Sequence, residues 1–220
     1  MMRIVLSVFA VTFFFACTGF TQTKSKITKF PPGVPVKGTG VEATGGKVEE
    51  RTYTNKKFGF EITVPEDWFI AGPDFEKVVK ENGHDLSVDL ATSQAGRSVD
   101  ILMTAFRSEP GSGGGAILRI TSENLKPNPQ ILDAVDYFDA ITAAYSTAKL
   151  PSDFIYSSTK AERLGTKQFA YLDTSLNAGK KRMYATVRNG FAIMFTLSYT
   201  RAEDLQTLRK ILETGNFKLK

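Results

Sequence analysis

The sequence predicts an α+β domain in which an antiparallel sheet of about six to eight strands is flanked by helices. In the second half of the chain, residues 168–176, 182–188 and 191–199 alternate between apolar and polar side chains, as half-buried strands do. Helical periodicity precedes these runs at 128–145 and follows them at 200–215. Strands and helices do not alternate in the βαβ order of a parallel sheet, which favours an antiparallel arrangement.

Length and composition fit one folded domain with an aromatic-rich core. The chain has 220 residues, of which 42% are apolar and 17 are phenylalanine, a composition that argues against general disorder. The net charge of +5 is a mild excess, and most basic residues are scattered along the chain. We therefore expect no nucleic-acid partner.

The N-terminus, residues 1–17, predicts a secretory signal peptide. A short positive start at Arg3 is followed by the uncharged apolar stretch 4–16. As a helix this stretch would be about 20 Å long, which is shorter than the ~30 Å hydrocarbon core of a bilayer. Export of the protein is expected, to the periplasm, to the medium or to a lipid-anchored position at the envelope.

Cys17 follows the apolar stretch directly and is the only cysteine, so no internal disulfide can form. The sequence FFAC resembles the lipobox of bacterial lipoproteins, in which the cysteine carries the lipid, although Phe14 stands where that motif prefers leucine. Cys17 is thus a candidate lipidation site. Cleavage nearby without lipidation, for example after Thr18 or Thr21, is the alternative.

Residues 18–50 are rich in Gly, Pro, Thr and Lys and lack apolar periodicity, which predicts a flexible linker. The folded domain is then expected to cover 51–220. It should begin with short strands at 51–55 and 58–64, the second ended by Pro65 because proline lacks the amide hydrogen of a strand ladder. Trp68, the only tryptophan, is expected to fold over the sheet edge into the core.

The middle of the chain predicts a short helix followed by three strands. Asp74 is a candidate N-cap, and Asn82-Gly83 supplies a stop. Strands are expected at 85–91, 99–107 and 116–121.

Asn128-Pro129 is expected to open the longest helix, with asparagine as the cap and proline at the first helical position. Its apolar stripe comprises Ile131, Val135, Phe138, Ile141 and Tyr145.

Near the C-terminus, Asn189-Gly190 predicts a type I′ hairpin between the strands at 182–188 and 191–199. Thr200 and Glu203 have the spacing of a capping box for a closing helix that ends at Gly215. A final strand is expected at 217–219.

Two segments resemble the PsbP-like superfamily: FGFEITVPEDW at 58–68, and GFAIMFTLSYTRAEDLQTLRKIL at 190–212, which a phenylalanine strand follows. This group includes an extrinsic subunit of photosystem II, nuclear Ran-binding proteins and exported bacterial lipoproteins. The resemblance covers 51–220 and implies an α/β/α sandwich at the membrane periphery, usually without catalysis. The export signal argues against a nuclear partner.

Four residues around one predicted hairpin, three of them basic, are candidates for contact with an anionic surface, either lipid headgroups or an acidic partner. These residues are Lys181, Arg182, Tyr184 and Arg188. A charged edge that prevents association between sheets is the alternative.

Other chemistry-bearing residues give weaker patterns. His84 is the single histidine, so one chain cannot form a histidine cluster for a metal. Asp85 and Asp89 share a predicted strand face and offer few of the oxygen ligands that a hard cation needs. Residues 111–115 (GSGGG) lack the Gly-Lys-Ser/Thr of a phosphate-binding loop.

We therefore expect an exported, non-catalytic binding or accessory domain at the cell envelope, with an envelope protein or a small ligand as its partner and no cofactor. Membrane contact is expected only through the N-terminal lipid or peripherally. The alternatives are a photosystem-type extrinsic subunit that binds a cation, and an enzyme whose site is assembled only in the fold.

Overall fold

The computed structural model of the chain describes residues 46–71, 99–107 and 115–218. The predicted signal peptide with Cys17, most of the linker, the helix after Asp74 and the strand at 85–91 lie outside these ranges. Within them, the chain forms eleven strands and two helices. In chain order these are β1 (Gly46–Glu49), β2 (Thr52–Asn55), β3 (Phe60–Thr63), β4 (Phe69–Ile70), β5 (Val99–Phe106), β6 (Ile117–Asn124), α1 (Ala134–Thr147), β7 (Ile155–Tyr156), β8 (Lys160–Leu164), β9 (Lys167–Leu176), β10 (Gly179–Arg188), β11 (Phe191–Tyr199) and α2 (Ala202–Glu213).

The strands form two antiparallel sheets, which confirms the predicted fold class. The large sheet has eight strands in the order β4-β5-β6-β11-β10-β9-β7, and β8 also pairs with β9. The small sheet has the order β1-β2-β3. The predicted hairpin is present: Arg188 pairs with Phe191, and both Asn189 and Gly190 have positive φ, as a type I′ turn requires.

Both faces of the large sheet are covered, and the alternation along β11 shows how. One side of β11, which includes Phe195, packs into a core with the small sheet and α2, while Met194 on the other side packs into a core with α1. Phe60 of the small sheet meets Phe195 edge-on at 5.4 Å between ring centroids. The result is a layered α+β domain in which α1 and α2 lie on opposite sides of the large sheet.

Trp68 occupies the predicted corner. Its side chain is 2% exposed and belongs to the core beneath the small sheet, together with Phe58 and Phe60. The backbone N–H of Trp68 donates to the carbonyl of Pro65 at 3.1 Å. The Arg51 guanidinium donates to the carbonyls of both Pro65 and Trp68, which fixes the turn between β3 and β4.

Two expected helix starts are wrong. α1 begins at Ala134 because Asp133 is its N-cap: the Asp133 carboxylate accepts hydrogen bonds from the backbone N–H groups of Val135 and Asp136. Val135 is consequently exposed instead of lying on the apolar stripe. At α2, Arg201 is the N-cap residue and makes no capping hydrogen bond through its side chain, so Thr200 is not the cap.

Two strand expectations also need correction. β1 at Gly46–Glu49 pairs with β2, so the last part of the segment 18–50, which the composition assigned to a linker, forms a strand. At the C-terminus, the described residues show a single bridge between Glu61 and Asn216 in place of the strand expected at 217–219. Phe217 lies against the core by stacking on Phe60 at 6.3 Å.

Candidate interaction surface

The structure separates the four predicted surface residues of β10. Arg182, Tyr184 and Arg188 lie on the sheet face that packs under the small sheet and α2, whereas Lys181 lies on the opposite face by strand alternation. The Arg188 guanidinium donates to the carbonyls of Phe58 and Gly59 at 3.1 and 3.0 Å. Internal partners therefore occupy Arg188, and contact of the four residues with an anionic surface stays a prediction.

Arg182 is held by a neighbouring strand. β9 and β10 place Asp173 directly opposite Arg182, and the guanidinium donates twice to this carboxylate: Nε to Oδ1 at 2.7 Å and Nη2 to Oδ2 at 2.9 Å. The guanidinium also lies 4.4 Å from the ring centroid of Tyr171. Burial opposes the charged form of Arg182, but the hydrogen bonds, chiefly with Asp173, raise its pKa above the ordinary value.

Glu162 joins this pair to α2. One of its carboxylate oxygens accepts the Tyr184 hydroxyl at 2.5 Å and lies 3.5 Å from Nη1 of Arg182, while the other accepts from Arg209 of α2. Burial, and then the hydrogen bond with Glu162, raise the pKa of the Tyr184 phenol. We call Glu162, Asp173, Arg182, Tyr184 and Arg209 the polar cluster. Its charges pair with one another and fix β8, β9, β10 and α2 together.

Beyond the polar cluster, β9 and β10 are joined at one end of the large sheet by the two-residue turn Asn177-Ala178. Both turn residues are exposed. Register brings four further side chains to this end. Ile155 of β7 and Lys180 of β10 both pair with Ser175 of β9, and therefore share one face. Tyr156 and Lys181 both pair with Thr174 and share the other face. We call Ile155, Tyr156, Asn177, Ala178, Lys180 and Lys181 the hairpin surface.

The hairpin surface combines exposed apolar groups with positive charge. Ile155 is 65% exposed and Tyr156 is 37% exposed. Because side chains opposite each other on adjacent strands are about 5 Å apart, each lysine lies roughly 10 Å from an apolar neighbour on its own face. The ring of Tyr156 also packs against α1, since its centroid lies 5.3 Å from that of Tyr145. These groups are thus presented on paired strands.

A groove between β3 and α2 is a second concave feature. It has a volume of about 330 Å³ and is lined by Thr63, Val64, Pro65, Thr207, Lys210, Ile211 and Thr214. Two of the threonine hydroxyls donate to backbone carbonyls of α2: Thr207 to Glu203 at 3.3 Å, and Thr214 to Lys210 at 2.9 Å. The groove therefore offers mainly the Lys210 ammonium group and apolar walls.

Candidate metal and catalytic residues from the sequence lie mostly outside the described ranges, among them His84, Asp85, Asp89 and residues 111–114. Among the described residues, no group of three or more His, Cys, Asp or Glu side chains converges in a way that could hold a metal ion. In the same part of the chain, neither helix has the length and apolar character needed to cross a bilayer.

Comparison with known proteins finds similarity to solved structures only. No protein-family model matches the chain, and no curated protein matches it. Among solved structures it is similar to cyanobacterial PsbP (CyanoP) from Synechocystis sp. PCC 6803, at 15% identity and a TM-score of 0.42, covering 83% of this chain and 99% of that chain. The fold is similar to that of PsbP.

Two mycobacterial structures are also similar. The first is LpqN of Mycobacterium tuberculosis, described as involved in cell envelope biogenesis, with 12% identity, a TM-score of 0.39 and coverage of 71% of this chain and 82% of that chain. The second is the extracellular domain of PknH from the same organism, with 11% identity, a TM-score of 0.30 and coverage of 66% and 76%. At these identities the similarity concerns the fold alone.

Sequence reasoning missed Ile155, Tyr156 and the partners of Arg182. β7 is only two residues long, which is too short to give a period-two pattern. A signal was available for Asp173, since a two-residue turn at Asn177-Ala178 sets the register in which Asp173 faces Arg182. Nothing local in the sequence points to Arg209, because it reaches Glu162 from a different element.

Proposed function

We propose that this protein is an exported, non-catalytic binding or accessory domain of the cell envelope and that it docks through the hairpin surface. The observation that carries the proposal is the combination of two exposed apolar side chains, Ile155 and Tyr156, with Lys180 and Lys181 at one end of a rigid sheet. Exposed apolar patches rimmed by polar residues mark interaction sites, and the hairpin surface is a small patch of this composition.

The polar cluster supports a scaffolding role over a reactive one. Arg182 is engaged by Asp173, and Glu162 by both Tyr184 and Arg209. Charges that neutralise one another hold neighbouring elements in place, and a surface on such elements needs little ordering when it binds. The non-catalytic role rests on this pairing.

Export is supported by the sequence alone, through the positive start and the apolar stretch 4–16. Lipidation of Cys17 is part of the proposal. Labelling host cells with a radioactive fatty acid should mark the wild-type protein and leave Cys17→Ser unmarked. An unlabelled wild-type protein that reaches the envelope would mean that export proceeds without the lipid.

Site-specific photo-crosslinking in intact host cells tests the docking surface. A p-benzoyl-phenylalanine in place of Ala178, at the exposed turn, should give a defined adduct with an envelope component. The matched control carries the same probe in place of Lys56, which is also exposed and lies in the turn between β2 and β3. A defined adduct from position 56 and none from position 178 would place the docking surface elsewhere and refute the proposal.

A further inference from the structure

The domain has two distinct ends along β10. At about 3.3 Å per residue, this ten-residue strand spans roughly 33 Å. The hairpin surface lies at its first end. At the other end, the Asn189 side-chain amide donates to the carbonyl of Lys57, and β1 enters nearby because Gly46 pairs with Asn55. β1 therefore begins at the end of the domain that lies away from the hairpin surface.

Among the described residues, the charge at the hairpin end is mainly positive. Lys180 and Lys181 follow the turn on β10, and the nearby carboxylate of Asp173 is neutralised by Arg182. Asp153, two residues before Ile155, is exposed, as is Lys149 after α1, so this flanking pair adds no net charge. The turn residues Asn177 and Ala178 are uncharged. Positive charge on β10 thus lies beside an uncharged turn.

Building on the proposed function, we propose that the hairpin surface docks on an anionic lipid bilayer. Lys180 and Lys181 would lie among the phosphate headgroups, where basic side chains are attracted by the surface potential. Tyr156, with an apolar ring and a polar hydroxyl, suits the interface between headgroups and acyl chains, and Ile155 adds apolar area beside it.

The size and shape of the surface favour a bilayer over a folded protein. A stable protein interface uses roughly 20–30 residues on each side. The hairpin surface has six, placed around a two-residue turn with Ile155 and Tyr156 on opposite sheet faces. A fluid bilayer can enclose a protruding corner from both sides, whereas a rigid partner would need a matching cleft.

Two attachments to one membrane are geometrically compatible. Fully extended, the residues between Cys17 and Gly46 reach about 100 Å at most, well beyond the ~33 Å length of β10. An acyl chain on Cys17 and the hairpin surface can therefore enter the same leaflet. The hairpin contact would then be intramolecular, and a weak affinity would suffice to hold the domain down.

Vesicle co-sedimentation of the full chain tests the proposal. Two compositions are compared: phosphatidylcholine alone, and phosphatidylcholine with about 30% phosphatidylglycerol to supply anionic charge. Each lysine near an anionic surface contributes about a fivefold gain in binding, so Lys180→Gln with Lys181→Gln should lower the partition coefficient on anionic vesicles roughly 25-fold. Ile155→Ser should lower it about fivefold through lost apolar burial.

The matched control is Lys56→Gln with Lys126→Gln, which removes the same charge from exposed positions at the other end of the domain. It should leave binding to anionic vesicles within about twofold of wild type. The apolar stretch 4–16 is present in every sample, so its contribution cancels between variants. Added salt should weaken the wild-type preference for anionic vesicles and leave binding to neutral vesicles unchanged.

Equal losses in the hairpin and control variants would overturn the lipid proposal, as would a wild-type protein that does not distinguish the two compositions. A protein adduct from position 178 in cells, together with no preference for anionic vesicles, would refute the lipid proposal and retain the docking surface. Vesicle preference lost only in the hairpin variants supports the proposal.

Discussion

Two glycines with similar backbones and different surroundings give a test of the packing between the β8–β9 turn and α2. Gly165 has φ +55° and Gly190 has φ +74°, a region in which L-residues are strained. A Cβ on Gly190 would meet no atom within 4 Å. A Cβ on Gly165 would collide with the backbone carbonyl oxygen of Glu213, in the last turn of α2. Only Gly165→Ala therefore forces α2 to move.

The expected costs follow from these surroundings. Gly190→Ala should lower the free energy of unfolding by about 1 kcal/mol, because left-handed strain is partly offset by the smaller entropy of the unfolded chain. Gly165→Ala carries the same strain and an overpacking cost as well, for a total of about 2–4 kcal/mol.

Urea unfolding followed by fluorescence measures both variants, since Trp68 is the only tryptophan and is buried. Both variants should unfold with the wild-type m-value, which would show that the extent of unfolding is unchanged. Equal losses in the two variants would refute the close contact between Gly165 and α2. A larger loss in Gly190→Ala would contradict the reasoning altogether.

Three further predictions concern buried groups. Trp68→Ala should cost about 3–5 kcal/mol in urea unfolding followed by circular dichroism; loss of partner binding at an unchanged melting temperature would show instead that Trp68 is a binding residue. Tyr184→Phe should cost about 2 kcal/mol near neutral pH by removing the hydrogen bond to Glu162. Because the folded pKa of Tyr184 is raised above 10.0, wild-type stabilisation is complete below that pH and is lost above it, so the difference between wild type and variant should shrink at alkaline pH. Hydrogen bonds with Arg201, and with Arg107, hold the pKa of Asp204 below 3.8. The wild type should therefore be more stable than Asp204→Asn above pH 3.8, and this difference in the free energy of unfolding should fade as the pH falls further. A difference that stays constant in acid would contradict this.

The sequence predicted those structural elements that are determined by residues close together in the chain. Asn189-Gly190 sets its turn through backbone conformation alone, and β11 shows its two faces by alternation. α1 was found by its apolar stripe, but its start was misplaced, because Asn128-Pro129 and Asp133 offer competing caps and the geometry of the chain entering the helix decides between them.

The candidate surface was less predictable because it depends on pairing between distant segments. Alternation within β10 places Arg182 and Tyr184 on one face, yet it does not tell whether that face is open or covered. Glu162 and Arg209, contributed by β8 and α2, cover part of it. Lys180 acquires Ile155 as a neighbour only through β9, which pairs with both strands.

The polar cluster and the hairpin surface are mechanically connected. Asp173 pairs with Arg182, and two residues further along the same sheet face Ser175 pairs with Lys180. The two hydrogen bonds between Asp173 and Arg182 therefore fix the register that positions Lys180. A surface fixed in this way loses little conformational entropy on binding, which matters when only a few side chains make the contact. Substituting Arg182 should therefore weaken docking indirectly, by loosening the β9–β10 pairing, even though most of its guanidinium is turned inward.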